Sequence, residues 1–136
     1  MNRFIEENMD VLQNIEAMIV TVFRTEPSLL DYDVKDAIAA LSQRYRAEDA
    51  GKTPPQPNLG ERAQKVYDKV ATICEVRLGR GTMTAGDGPG AKQISVGIIP
   101  LETLVKALRE IQKSVQGWTQ RAGRRGYLEF VQQYVR

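Results

Sequence analysis

Four stretches of this chain carry apolar residues at alternating spacings of three and four, and each ends at a proline, a glycine or a polar break. That spacing places side chains along one stripe of a helix, whereas a strand would send them alternately to opposite faces. The clearest run is Leu101, Leu104, Leu108, Ile111, Val115 and Trp118, with Val105 beside it. It extends for about two and a half heptads, short for a free-standing coiled coil and ample for a bundle helix. A mainly α fold follows, a bundle of four or five helices.

The first helix is expected over residues 2–24. Asn2 can cap it, Glu6, Glu7 and Asp10 complement the positive end of its dipole, and Ile5, Met9, Leu12, Ile15, Ile19 and Val22 supply the stripe. Phe4, Val11 and Met18 widen that face enough to need neighbours on two sides. Pro27 disfavours helical geometry at Glu26 and marks the end. A second helix fits residues 31–47, with Asp31, Asp33 and Asp36 at its start, Arg44 and Arg46 at its end, and Leu30, Val34, Ile38, Leu41 and Tyr45 in its stripe. A third fits 61–78, with Asn58 and Glu61 spaced as a capping box and Cys74 within the buried row. The fourth, after Pro100, covers 101–119, and a last short helix covers 127–135.

Two connections stand out. Residues 48–60 hold three prolines in four positions, which favour extended polyproline geometry and read as an interhelix connection in preference to a PxxP ligand. Residues 79–99 begin with a Gly-rich tract and end with the alternation Ile94, Val96, Ile98. This predicts a Gly-rich loop or a short β-hairpin between helices 3 and 4, pairing roughly 80–84 with 93–96 across the turn GDGPG. The whole of 1–136 reads as one helical domain.

Composition narrows the chemistry. The chain contains no histidine, which removes the commonest general base and metal ligand near neutral pH, and with it Ser-His-Asp, Cys-His and HExxH chemistry. One cysteine permits no intrachain disulfide and fits a reducing compartment. Acids where a secretory leader would be basic and then apolar, and no apolar run of spanning length, favour a cytoplasmic protein without a membrane partner. No cofactor or metal is expected: the Gly-rich tract lacks the Gly-Lys-Ser/Thr of a phosphate loop, and the Asp31, Asp33, Asp36 cluster lacks the rest of a calcium loop.

Charge is uneven. Residues 1–50 hold five Lys/Arg against ten Asp/Glu, a net −5, and residues 51–136 hold fourteen against seven, a net +7. We expect acidic helices to lie against basic ones, within a monomer or between subunits. The competing reading is a polyanion surface built from Arg77, Arg80, Arg121, Arg124 and Arg125 with nearby aromatics. No catalytic residue is singled out. The leading expectation is a non-enzymatic interaction or assembly module that binds itself or another protein, with Leu101, Leu104, Leu108, Ile111, Val115 and Trp118 as candidate interface. A nucleic-acid-associated protein is the alternative, and a small-ligand-binding or enzymatic bundle is the third reading.

Overall fold

A computed structural model describes residues 3–81, 83–85, 92–94 and 97–116. Its elements are α1 (Arg3–Glu7), α2 (Met9–Thr25), α3 (Asp31–Asp49), α4 (Glu61–Arg77), β1 (Met83–Ala85), β2 (Lys92–Ile94) and α5 (Leu101–Gln116). The chain is mainly helical, and no described helix is long and apolar enough to cross a membrane.

The helix expected over 2–24 is broken at Asn8. Its side-chain amide donates to Phe4 O at 3.1 Å alongside the backbone Asn8 N–H at 3.0 Å, and its backbone takes φ −122° and ψ 26°. A short amide side chain competing for a helix carbonyl is a known helix spoiler, and the periodicity of apolar residues does not register it. The helix expected over 31–47 runs two residues further, because its stop is Gly51 at φ +72°. There Gly51 N–H donates to Glu48 O and Lys52 N–H to Ala47 O, the paired bonds of a Schellman cap. Gly79 at φ +78° ends α4 in the same way, through Gly79 N–H to Val76 O and Arg80 N–H to Glu75 O.

The starts also differ in detail from expectation. Asn58 does not cap α4; Gly60 occupies the N-cap position without a side-chain bond. Asp33 does cap α3, its carboxylate accepting the Leu30 N–H at 2.9 Å while Asp33 N–H donates to Leu30 O at 3.0 Å. The start of α5 follows Pro100, whose carbonyl accepts from Thr103 and Leu104 N–H. The last expected helix, residues 127–135, and residues 117–119 of the fourth lie outside the described residues, as does the GDGPG turn. The short stretches β1 and β2 run antiparallel, Met83 opposite Ile94 and Ala85 opposite Lys92.

Polar contacts fix the direction of each helix. Between α2 and α4 the sequence separation of bonded pairs falls from 67 (Asp10 with Arg77) to 39 (Glu26 with Lys65), as it must for antiparallel helices. Between α3 and α4 it holds near 30, with 29 for Asp33 and Arg62 and 30 for Tyr45 and Glu75. Those two helices are therefore parallel. Ile99 N–H donates to Arg77 O at 2.8 Å, so α5 starts beside the last turn of α4 and runs back along α3. The principal packing partners are α2 with α4, α4 with α3, and α3 with α5, closed by a lesser contact of α5 with α2. Helices α2 and α3, and likewise α4 and α5, thus sit diagonally although consecutive in sequence, unlike the up-and-down arrangement that short-looped bundles adopt.

A parallel α3–α4 pair requires the chain to return the full length of the bundle, and this explains the prolines. About seventeen residues of helix rise roughly 26 Å. The nine residues Lys52–Gly60 span about 28 Å in polyproline geometry. The connection is a nearly taut strut, and residues that resist coiling are suited to it. Inside, the stripe of α5 meets those of the other helices: Leu104, Leu108, Ile111 and Val115 are fully buried, each worth about 1.5–3 kcal/mol on removal from water.

Candidate functional site

The two charged halves of the sequence meet within one chain. Asp10 pairs with Arg77 at 2.9 Å, Glu26 with Lys65 at 2.6 Å, Asp33 with Arg62 at 3.1 Å, and Glu48 with Arg80. Every one of these pairs joins an acid from the first fifty residues to a base beyond them. The expected pairing of acidic with basic helices accounts for these four cations.

This bears directly on the candidate polyanion residues. Arg77 is 5% exposed and faces inward, its guanidinium donating to Asn14 Oδ1 at 2.7 Å and Asp10 Oδ2 at 2.9 Å. It is a structural cation, and that corrects its place on a polyanion surface. Arg80 stays at the surface but is paired with Glu48. Arg121, Arg124 and Arg125 lie outside the described residues. The candidate interface is likewise corrected: Leu104, Leu108, Ile111 and Val115 are consumed by the core, and Leu101 is half-buried at the helix start, while Trp118 lies outside the described residues. Among the described residues, Ile98 at 71% is the large apolar side chain left in water.

What the fold does assemble is a groove between α3 and α4. Because these helices are parallel and in step, Tyr45 and Glu75 meet near their C-terminal ends. The Tyr45 ring is fully buried and its hydroxyl donates to Glu75 Oε2 at 2.7 Å. Burial pushes this phenol well above its usual value, with the neighbouring Cys74 and Glu75 adding to the effect, so it remains a neutral donor. Arg44 lies over it, its guanidinium carbon 4.9 Å from the Tyr45 ring centre and 6.0 Å from that of Tyr67. One of its Nη atoms donates to the Tyr67 hydroxyl at 3.3 Å, while Glu75 is its ionic partner at 3.9 Å. Burial opposes the Arg44 charge, but the Tyr67 hydroxyl, the two phenols and Glu75 outweigh it and hold the group above its ordinary value.

Two cavities flank this wall. One, of about 430 Å³, lies towards the C-terminal end of α4 and includes Asp68, Thr72, Glu75 and Gly81 in its lining. The other, of about 390 Å³, lies under the strut and is bounded by Pro54, Pro55, Gln56, Pro57 and Gln64. Arg44 and Tyr67 belong to both. A third hollow of about 410 Å³, on the α2–α4 side, is edged by Lys65, Asp68 and Lys69.

Other reactive side chains are built into the structure. Cys74 is buried, and burial, then Glu75, push its thiol up to about 12, as expected for a packed thiol and not a nucleophile. Glu16 is buried on α2 with Oε1 lacking a hydrogen bond, and burial raises its pKa against the pull of Arg24. Asp33 is occupied by its cap and by Arg62. Among the described residues no group of three or more Cys, Asp or Glu side chains is placed to hold a metal.

Arg44, Tyr67 and Glu75 were not among the residues singled out from sequence. Arg44 reads there as a dipole-complementing charge at a helix end. The signal that would unite them is the parallel direction of α3 and α4, foreshadowed only by a proline connection long enough to span a helix. No family model matches the sequence, and no curated protein or solved structure is significantly similar to it.

Proposed function

We propose that this chain is a non-enzymatic interaction module that meets its partner along the α3–α4 groove, at Arg44 and Tyr67. The observation that carries the reading is the convergence of two cavities on one guanidinium held over tyrosine rings. Arginine and tyrosine are among the side chains most enriched in binding hot spots, and here both sit on rigid helices, so little order is lost on binding. The apolar stripes that first suggested assembly support it less, since the core uses them. In the same reading, residues 79–99 form a short hairpin at the end of the groove, which the antiparallel register of β1 and β2 supports.

The test is a photo-crosslinking residue placed at Thr72, on the rim of the groove, in the full chain expressed in its own cells. The comparison site is Lys106, exposed on α5. A defined crosslinked species from Thr72 that disappears with Arg44→Ala, while circular dichroism shows an intact fold, is the expected result. A mass of twice the chain identifies the partner as a second copy. Equal yields from both faces, or a yield indifferent to Arg44→Ala, refute the proposal.

A further inference from the structure

We infer that the cavity under the proline strut takes a carboxylate, held by Arg44 and Tyr67 together. This rests on the groove being the contact surface and adds what the groove recognises. Of the five N–H donors of Arg44, the described residues engage one, through the long bond to Tyr67. That bond uses the Tyr67 oxygen as acceptor, which leaves the phenolic proton free to donate outward. The nearest carboxylate, Glu75, lies at the outer limit of pairing and on the far side of the shared wall, in the other cavity. Two adjacent donor groups therefore face a cavity of about 390 Å³ with no acid in its lining.

The rest of that cavity suits a small anion. Pro54, Pro55 and Pro57 carry no N–H groups, so the anion is held by Arg44 and Tyr67 and not by the backbone of these prolines, and the taut strut keeps them from collapsing inward. Gln64 already donates to Asp68 at 2.8 Å, so its amide forms a fixed edge. The single cation favours a singly charged group. A dianionic phosphate would need a second positive side chain, and Asp68 and Glu75 lie close behind the wall. A planar carboxylate also matches the guanidinium fork. It comes either from an acidic side chain of an extended peptide or from a free small acid.

The full chain, labelled with ¹⁵N, is titrated with sodium acetate at constant ionic strength set by sodium chloride, and separately with the capped peptide Gly-Glu-Gly. Saturable shifts of the Arg44 Nε–H and Gln64 side-chain amide signals are expected. Arg44→Gln should abolish them, and Tyr67→Phe should weaken binding by about fivefold, the worth of one hydrogen bond. Saturation by the peptide well below the acetate range points to a peptide source, and equal affinities point to a free acid. Both support the site. Linear drift shared with the signals of Lys65, Lys69 and Lys106, or an equal response to inorganic phosphate, overturns it. Crosslinking at Thr72 that still depends on Arg44 would then leave the groove reading standing while this one falls.

Discussion

The pair formed by Asp10 and Arg77 makes an asymmetric prediction. The Arg77 side chain is 6% exposed and that of Asp10 67% exposed, so one end of the ion pair is dry and the other wet. Judged by exposure alone, Asp10→Asn should shift stability by no more than about 0.5 kcal/mol. The structure predicts otherwise, because the substitution strands a buried cation. Breaking a fully buried pair costs about 3–5 kcal/mol. Here the cost falls to about 2 kcal/mol, since Asn14 still accepts from the guanidinium at 2.7 Å and water reaches the Asp10 side. The converse change, Arg77→Met, leaves a solvated aspartate and removes a buried Nε that has no hydrogen-bond partner, so it should cost about 1 kcal/mol or less. In the Arg77→Met background, Asp10→Asn should retain only its effect at the start of α2, about 0.5 kcal/mol. Urea unfolding of the four proteins followed by far-ultraviolet circular dichroism measures each term. A cost for Asp10→Asn below about 0.5 kcal/mol, or the same cost in both backgrounds, refutes the assignment of Arg77 as a buried cation that depends on Asp10.

Three further outcomes are expected. Gly51→Ala and Gly79→Ala should each lose about 1–2 kcal/mol for their positive φ; although a Cβ on Gly79 would approach Ile98 Cδ1 to 3.0 Å, that side chain is exposed and can swing away, so unfolding midpoints differing by much more than strain explains would show Ile98 to be pinned. Burial raises the Glu16 pKa above its ordinary value of 4.5, so the folded state binds more protons there, and the associated stability, present below pH 4.5, is lost as pH rises through the raised value. Glu16→Gln should therefore stabilise the protein at pH 7 and not at pH 4 in paired urea titrations, and an equal gain at both would be inconsistent with a titrating Glu16. Cys74, with its thiol pushed up to about 12, should resist a disulfide reagent at pH 8 until urea unfolds the chain; prompt labelling of the native protein would contradict its packing.

The helices were legible because burying one face of a helix dictates a repeat, and Leu101 to Val115 shows it without interruption. The end of α4 at Gly79 was equally legible, since a left-handed C-terminal residue favours glycine. Two kinds of feature were not. Asn8 breaks a helix through a local side-chain bond that leaves the apolar pattern intact. The neighbour order of the helices depends on which way a connection crosses the bundle, and the prolines at 54, 55 and 57 predict an extended chain without saying along what. The groove inherits that gap: Arg44, Tyr67 and Glu75 face one another only because α3 and α4 are parallel. The pairing of acidic with basic halves was foreseeable as a trend, yet nothing in the charge count separates Arg77, which is buried, from Arg80, which is not.

The diagonal placement of α2 and α3, and of α4 and α5, has a consequence for how the chain can be divided. Neither α2 with α3 nor α4 with α5 forms a principal contact, so each half of the sequence lacks a core of its own and interleaves with the other. The strut joining them is exposed from Lys52 to Gln56 and contributes no fully buried side chain. A cut there would sever a tether and leave every helix whole, yielding an acidic fragment and a basic one that fold only on each other. In that sense the molecule is a heterodimer written as one polypeptide, and during synthesis its first two long helices have no stable partner until α4 and α5 emerge.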